Sequence, residues 1–181
     1  MKNIVVLVLL EASLLVLALP LYYGWLNPDE RWSCSWPLPL EPLLGSLLAF
    51  LGLAMLFTHP EVRRRRFLKT IYRKLYHSGL LNFFSNQPFG ALLLLSCVAG
   101  LSEEWLFRGV LLPKWGLLLS SLLFGLVHAL TWSYFFLATF IGLLLGLTYQ
   151  STHCLYWVMF LHALYDFLVL WRLKKSSLPF D

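Results

Sequence analysis

Six runs of apolar residues, at 3–25, 43–59, 89–112, 115–130, 134–149 and 155–171, decide what this chain can fold into. A bilayer offers backbone N–H and C=O groups no water, so runs of this length cross it as helices. Of the 181 residues, 59% are hydrophobic and only 13% are charged, more apolar surface than a soluble domain of this size uses. The expected fold is all-α: a polytopic membrane bundle of about six transmembrane helices, plus an interfacial basic amphipathic helix. Residues 1–60 supply two N-terminal spans, 61–88 a basic interfacial segment on the cytoplasmic side, and 89–175 a transmembrane core that carries the polar groups.

Boundary residues support this division. Lys2 precedes the first run as in a secretory signal, but no small-x-small cleavage site follows, and Pro20, Tyr22, Tyr23 and Trp25 read instead as an interfacial anchor. Asn27 to Pro42, with Asp29, Glu30, Arg31, Trp32, Trp36 and three prolines, reads as a short loop with belt aromatics. Pro60 closes the second span, and Pro113-Lys114 marks a tight connection between the third and fourth. Gly142 and Gly146 in the fifth have the small-xxx-small spacing that lets helices approach closely.

The net charge of +5 is concentrated. Arg63 to Arg66, Lys69, Arg73 and Lys74 form one block, and Arg172, Lys174 and Lys175 another. Phe67, Leu68, Ile71, Tyr72 and Leu75 line one side of a helix whose other side carries Arg66, Lys69, Arg73, Lys74 and His77, so the first block is expected to lie on a membrane surface. Six spans put Lys2 and both blocks on one side, as the positive-inside tendency prefers. The expected partners are membrane lipid and a membrane-associated or membrane-embedded peptide or protein, with no nucleic acid. Cys34, Cys97 and Cys154 are odd in number and lack C-x-x-C spacing. They suggest neither a disulfide framework nor a thiolate zinc site, and Cys97 and Cys154 are expected to serve as small apolar residues.

Charges inside an apolar run are costly and therefore informative. Of nine acids, only Glu11, Glu103, Glu104 and Asp166 fall well inside spans, and of five histidines only His128 and His162. The sequence leaves open whether Glu11 points into the bundle as a partner of these groups or lies in a thin, wet part of the fold. In Leu101-Ser102-Glu103-Glu104-Trp105-Leu106-Phe107-Arg108-Gly109, Glu104 and Arg108 have the i, i+4 spacing of a helical ion pair. Glu103 is rotated about 100° away, which leaves it freer to exchange a proton. Phe124 and His128 share a face of the fourth span, and His162 and Asp166 a face of the sixth. Glu103 lies about 15 Å before the Pro113 turn and His128 about 22 Å after it, so with helix tilt both reach one layer near mid-bilayer together with His162.

Such a layer suits hydrolysis of an unactivated bond. Glu103 takes the proton of an attacking water, His128 helps to position that water, His162 donates to the oxyanion, and Asp166 orients His162 or donates a hydrogen bond itself.

Glu103-Glu104-x-x-x-Arg108, Phe124-x-x-x-His128 and His162-x-x-x-Asp166, in that order on hydrophobic helices, resemble the CPBP family of intramembrane endopeptidases. That family includes the type II CAAX prenyl endopeptidases and the bacterial Abi, or bacteriocin self-immunity, proteins. The resemblance covers about residues 89–171 and implies a glutamate-dependent endopeptidase without a metal cofactor. Glu103 and His128 would activate water, His162 with Asp166 would form the oxyanion site, and Glu104, Arg108 and Phe124 would support them. The expected location is a bacterial plasma membrane, with several passes and, from the basic clusters, both termini cytoplasmic. Prenyl endopeptidases have asparagine where this chain has Asp166, which points away from a prenylated CAAX substrate. Two alternatives remain: a zinc-dependent protease using His128, His162 and Glu103, although no H-E-x-x-H is present, and a non-proteolytic scaffold or immunity protein whose polar cluster only fixes helix packing.

Overall fold

Prolines and glycines punctuate the apolar runs and determine where helices start and stop in the computed structural model, which describes residues 2–30, 34 and 38–175. Helix α1 (Lys2–Trp25) carries Pro20 near its end, and a single 3-10 turn (Pro28–Glu30) follows. Arg31, Trp32, Trp36 and Pro37 of the expected aromatic loop lie outside the described residues. Extended Pro39 precedes α2 (Leu40–Thr58), and extended His59 ends it. Pro60 then opens the short α3 (Pro60–Arg63), where the His59 ring accepts from the Glu61 N–H. Helices α4 (Arg66–His77) and α5 (Leu80–Ser85) are separated by Gly79, whose φ of 78° is costly for any residue with a Cβ. Helix α6 (Phe89–Glu104) runs into a π-helical stretch, Trp105–Leu111, and then into α7 (Leu112–Val127). Thr131 caps α8 (Trp132–Thr152) by accepting from the Tyr134 N–H at 3.1 Å, and α9 (Leu155–Lys175) completes the chain. No strand occurs among the described residues.

Among the described residues, four stretches are long and apolar enough to cross a membrane: Ile4–Trp25, Leu40–Thr58, Phe89–Val127 and Trp132–Thr152. The third has 39 residues and doubles back on itself. The Phe107 and Phe124 rings are 5.1 Å apart, and the Ser120 hydroxyl donates to the Phe107 carbonyl at 2.8 Å. Along a straight helix seventeen residues would cover about 25 Å. The reversal is at Gly116 (φ 77°, ψ 172°), not at the expected Pro113-Lys114. Pro113 instead lies just before that break, with the chain still helical at Leu111 and Leu112. The third and fourth expected spans are thus the two arms of one broken helix. The sixth is α9, which is as long as α8 but more polar because it carries His162, Asp166 and a basic end.

Helix α9 lies at the centre, packed against α6, α2 and α8, with Leu155, Val158 and Leu161 fully buried. Its approach to α6 depends on Gly100, where a Cβ would come within 2.8 Å of the Ala163 nitrogen and the Met159 carbonyl oxygen. Val16, Leu48, Leu118 and Trp132 point outward as an apolar outer face. On α4, Leu68, Ile71 and Tyr72 are buried while Arg66, Lys69, Arg73, Lys74 and His77 are exposed, as the pattern predicts. Phe67, expected on the inner side, is exposed instead. Arg63, expected on the surface, is buried with its guanidinium over the Tyr72 ring.

The two ends of the bundle differ. Arg63 to Arg66, Lys69, Arg73, Lys74, Arg172, Lys174 and Lys175 all lie at the end that gathers α3 to α5 and the end of α9, where Lys174 donates to the Gln87 carbonyl. The opposite end gathers Trp25 against Trp115 at a ring separation of 5.4 Å. There Cys34 and Cys154 form a disulfide between the loop after α1 and the α8–α9 connection. This corrects the expectation that Cys154 is a free apolar residue. The odd count arose because two cysteines pair across 120 residues while Cys97, exposed on α6, stays free.

Candidate active site

The break at Gly116 sets the depth of the polar residues. Glu103 lies thirteen residues before it and His128 twelve after, so the two arms bring them to the same level. His128 Nε2 stands 3.5 Å from Glu103 Oε2. His128 closes α7, and its Nδ1 lies 2.8 Å from the Phe124 carbonyl oxygen. A carbonyl only accepts, so Nδ1 carries the hydrogen, and when the ring is neutral its lone pair is at Nε2, the edge that faces Glu103. Glu103 Oε2 is buried and has no hydrogen-bond partner.

Glu104, one residue on, has a different environment. Its Oε1 receives Arg108 Nη1 at 2.6 Å and His162 Nδ1 at 2.6 Å. Arg108 also donates through Nη2 to the Gly142 carbonyl at 2.9 Å. A Cβ at 142 would press most closely on the Phe124 ring, at 3.3 Å. The i, i+4 ion pair read from sequence therefore forms, across the junction from α-helix to π-helix. Helical π turns widen the backbone locally and recur at functional sites.

Phe124 stands between the two groups. Its ring lies under the Arg108 guanidinium, 4.6 Å from Cζ. It also packs on the His128 ring at 4.5 Å and edge-on to His162 at 5.8 Å. On the other side of His162, Nε2 lies 3.4 Å from Asp166 Oδ2. The sequence pairs His162 with Asp166 as its orienting partner, but the shorter bond is to Glu104, 58 residues away in the chain. A ring with hydrogens on both nitrogens satisfies both carboxylates, and its Nε2–H is the edge that faces Asp166.

Glu103, His128, His162 and Asp166 share the lining of a cavity of about 660 Å³. Its apolar wall comes from α4 and α5, including Leu68, Ile71, Leu81 and Phe84, so the cavity runs from the Glu103–His128 pair toward the basic end. Tyr134 and Glu11 also line it. Sequence reasoning passed over Tyr134, which looks like an ordinary aromatic at the start of a span, and left Glu11 undecided. Among the described residues no three His, Cys, Asp or Glu side chains gather as a metal-binding group.

Residues 85–168 match the family model described as type II CAAX prenyl endopeptidase Rce1-like. All three motifs lie inside that segment. The chain is also 36% identical over 97 residues to the uncharacterized protein YpbD of Bacillus subtilis (strain 168), an alignment that covers 51% of this chain and 51% of that protein. The chain thus spans about half the length of the curated relative it matches. No solved structure matches. Residues 85–168, a little under half of the chain, are thus similar to the Rce1-like, type II CAAX prenyl endopeptidase family, in keeping with the resemblance of the three motifs to the CPBP family.

Proposed function

We propose that this chain is an intramembrane endopeptidase that hydrolyses a peptide bond with a water activated by Glu103 and His128. The observation that carries the reading is the Glu103–His128 pair, 3.5 Å apart at the wall of a cavity, with a carboxylate oxygen left unpartnered. A carboxylate and an imidazole lone pair at that separation can both accept hydrogens from one water. Glu103 takes one proton as the water oxygen bonds to the peptide carbonyl carbon. The carbonyl oxygen becomes an oxyanion, which the His162 Nε2–H stabilises. Glu103 then returns the proton to the departing nitrogen, the C–N bond breaks, and a carboxylate and an amine leave. Glu104 orients His162 through Nδ1, Arg108 balances the charge of Glu104, and Phe124 packs the two histidine rings.

The substrate class is a peptide segment of a membrane-associated or membrane-embedded protein, which an apolar cavity reaching the surface helix α4 would admit. Residues 89–175 form the catalytic core, with 1–60 and 61–88 walling the cavity. The basic end faces the cytoplasm. The disulfide at the other end suits an oxidising compartment.

Purified protein in detergent, incubated with a peptide library and with membrane proteins in heavy-oxygen water, tests this by mass spectrometry. We expect cleaved products carrying heavy oxygen in the new carboxyl group, and full activity after exhaustive chelation. Loss of cleavage on chelation would favour the zinc reading. Folded protein that cleaves nothing would mean that the polar cluster fixes helix packing.

A further inference from the structure

One acid outside the matched family segment faces this site. Leu7 and Glu11 stand one turn apart on α1, and both line the cavity. Glu11 shares that cavity wall with Glu103, His128 and Asp166 and lies within electrostatic range of all three. Oε2 of Glu11 and Oε2 of Glu103 are each buried without a hydrogen-bond partner. The rest of α1 gives no structural reason for an acid here. Its neighbour Ser13 bonds back to the Leu10 carbonyl at 2.6 Å, and the helix is otherwise apolar. An acid at this depth costs several kcal/mol unless something in the protein compensates it.

The chemistry of such a pair is restrictive. Ionised carboxylates only accept hydrogen bonds, so two of them can be bonded only if one carries a proton. Glu103, placed to accept a proton from water, has to be the carboxylate. Glu11 then carries the hydrogen.

We infer that Glu11 is a positioning residue for the hydrolysis proposed above, its carboxyl O–H donating to the Glu103 carboxylate and holding it turned toward His128. The inference rests on that reading for its catalytic meaning, but the hydrogen bond itself does not. The charged and titratable groups facing Glu11 are Glu103 from α6, His128 at the end of α7 and Asp166 from α9. Any pH dependence of the contact belongs to this set.

The test compares full-length wild type with Glu11→Gln and Glu11→Leu in detergent, reading cleavage rate against pH and infrared absorption. Glutamine keeps an N–H donor and cannot ionise. Glu11→Gln is therefore expected to keep most of the neutral-pH rate and to lose the alkaline fall that wild type shows when the shared proton departs. Glu11→Leu removes the donor, and its rate is expected to drop about 100-fold, the scale of a misplaced catalytic group. In the infrared, wild type at neutral pH is expected to show a protonated-carboxyl band that disappears in Glu11→Gln and shifts in Glu103→Gln. An unchanged pH profile in Glu11→Gln, or a wild-type rate in Glu11→Leu, overturns the positioning role, because a packing role alone would not move the profile. If wild type cleaves nothing yet shows the band, the hydrolase reading falls and the Glu11–Glu103 bond stands. A missing band, or one that persists in Glu11→Gln, overturns the bond itself.

Discussion

Glu103 and Glu104 are adjacent, carry the same side chain and end the same helix, yet one is tied down and the other is not. The Glu104 and Arg108 side chains are 0% and 1% exposed, and Glu104 Oε1 takes two bonds of 2.6 Å. Glu103 faces a cavity, and its nearest basic side chain is a histidine 3.5 Å away that is 26% exposed. A buried ion pair with its donors matched gives rigidity, because removing either partner strands the other in a low-dielectric interior. A carboxylate with a free oxygen is available for chemistry. The difference follows from one residue of helical rotation, about 100°, which points Glu104 toward α9 and Glu103 toward α7.

Breaking the comparison at Glu103 should give the largest effect. Glu103→Gln is expected to lower cleavage by up to about 10⁴-fold, the upper range for a general base, with an unchanged melting temperature. Breaking it at Glu104 should reverse the pattern. Arg108→Leu, which leaves Glu104 buried and unpaired, is expected to cost about 3–5 kcal/mol of stability, read by thermal unfolding in detergent. Replacing both as Glu104→Gln with Arg108→Met should recover part of that loss if the pair is a coupled unit. Phe124→Leu touches both regions, so smaller losses of both kinds are expected: about 1–2 kcal/mol from the ring under Arg108 and about tenfold in rate from the loosened His128 ring. Asp166→Asn sharpens the comparison least. Asparagine keeps an acceptor near His162 Nε2, and the rate should change by less than about tenfold, measured with the same peptide assay.

The helical periodicity made the residues legible and hid much of their partnership. Glu104–Arg108, Phe124–His128 and His162–Asp166 are each four apart, so the face they share is written in the sequence. The Glu104–His162 bond joins residues 58 apart and depends on the close contact at Gly100, which has no local signature. The turn was misplaced for a similar reason. Proline looks like the breaker, but the chain is still helical on reaching Pro113, whereas Gly116 takes a φ of 77° that other residues resist. The corrected turn accounts better for Glu103 and His128 meeting, since it puts them at nearly equal distance from the reversal. The Cys34–Cys154 disulfide was invisible because an odd cysteine count and a spacing of 120 residues say nothing about which ends of which helices meet. Glu11 was conspicuous as an acid in an apolar run, but only the packing of α1 against α6 brings it to the cavity.

The central claim is that two neighbouring glutamates divide chemistry from architecture. Glu103→Gln and Glu104→Gln, purified side by side, test it through cleavage rate per folded molecule and melting temperature. The account predicts that Glu103→Gln melts like wild type and does not cleave, and that Glu104→Gln melts markedly lower while its folded fraction retains measurable cleavage. A Glu103→Gln protein that cleaves at the wild-type rate, or a Glu104→Gln protein that melts like wild type and cleaves nothing, would contradict it.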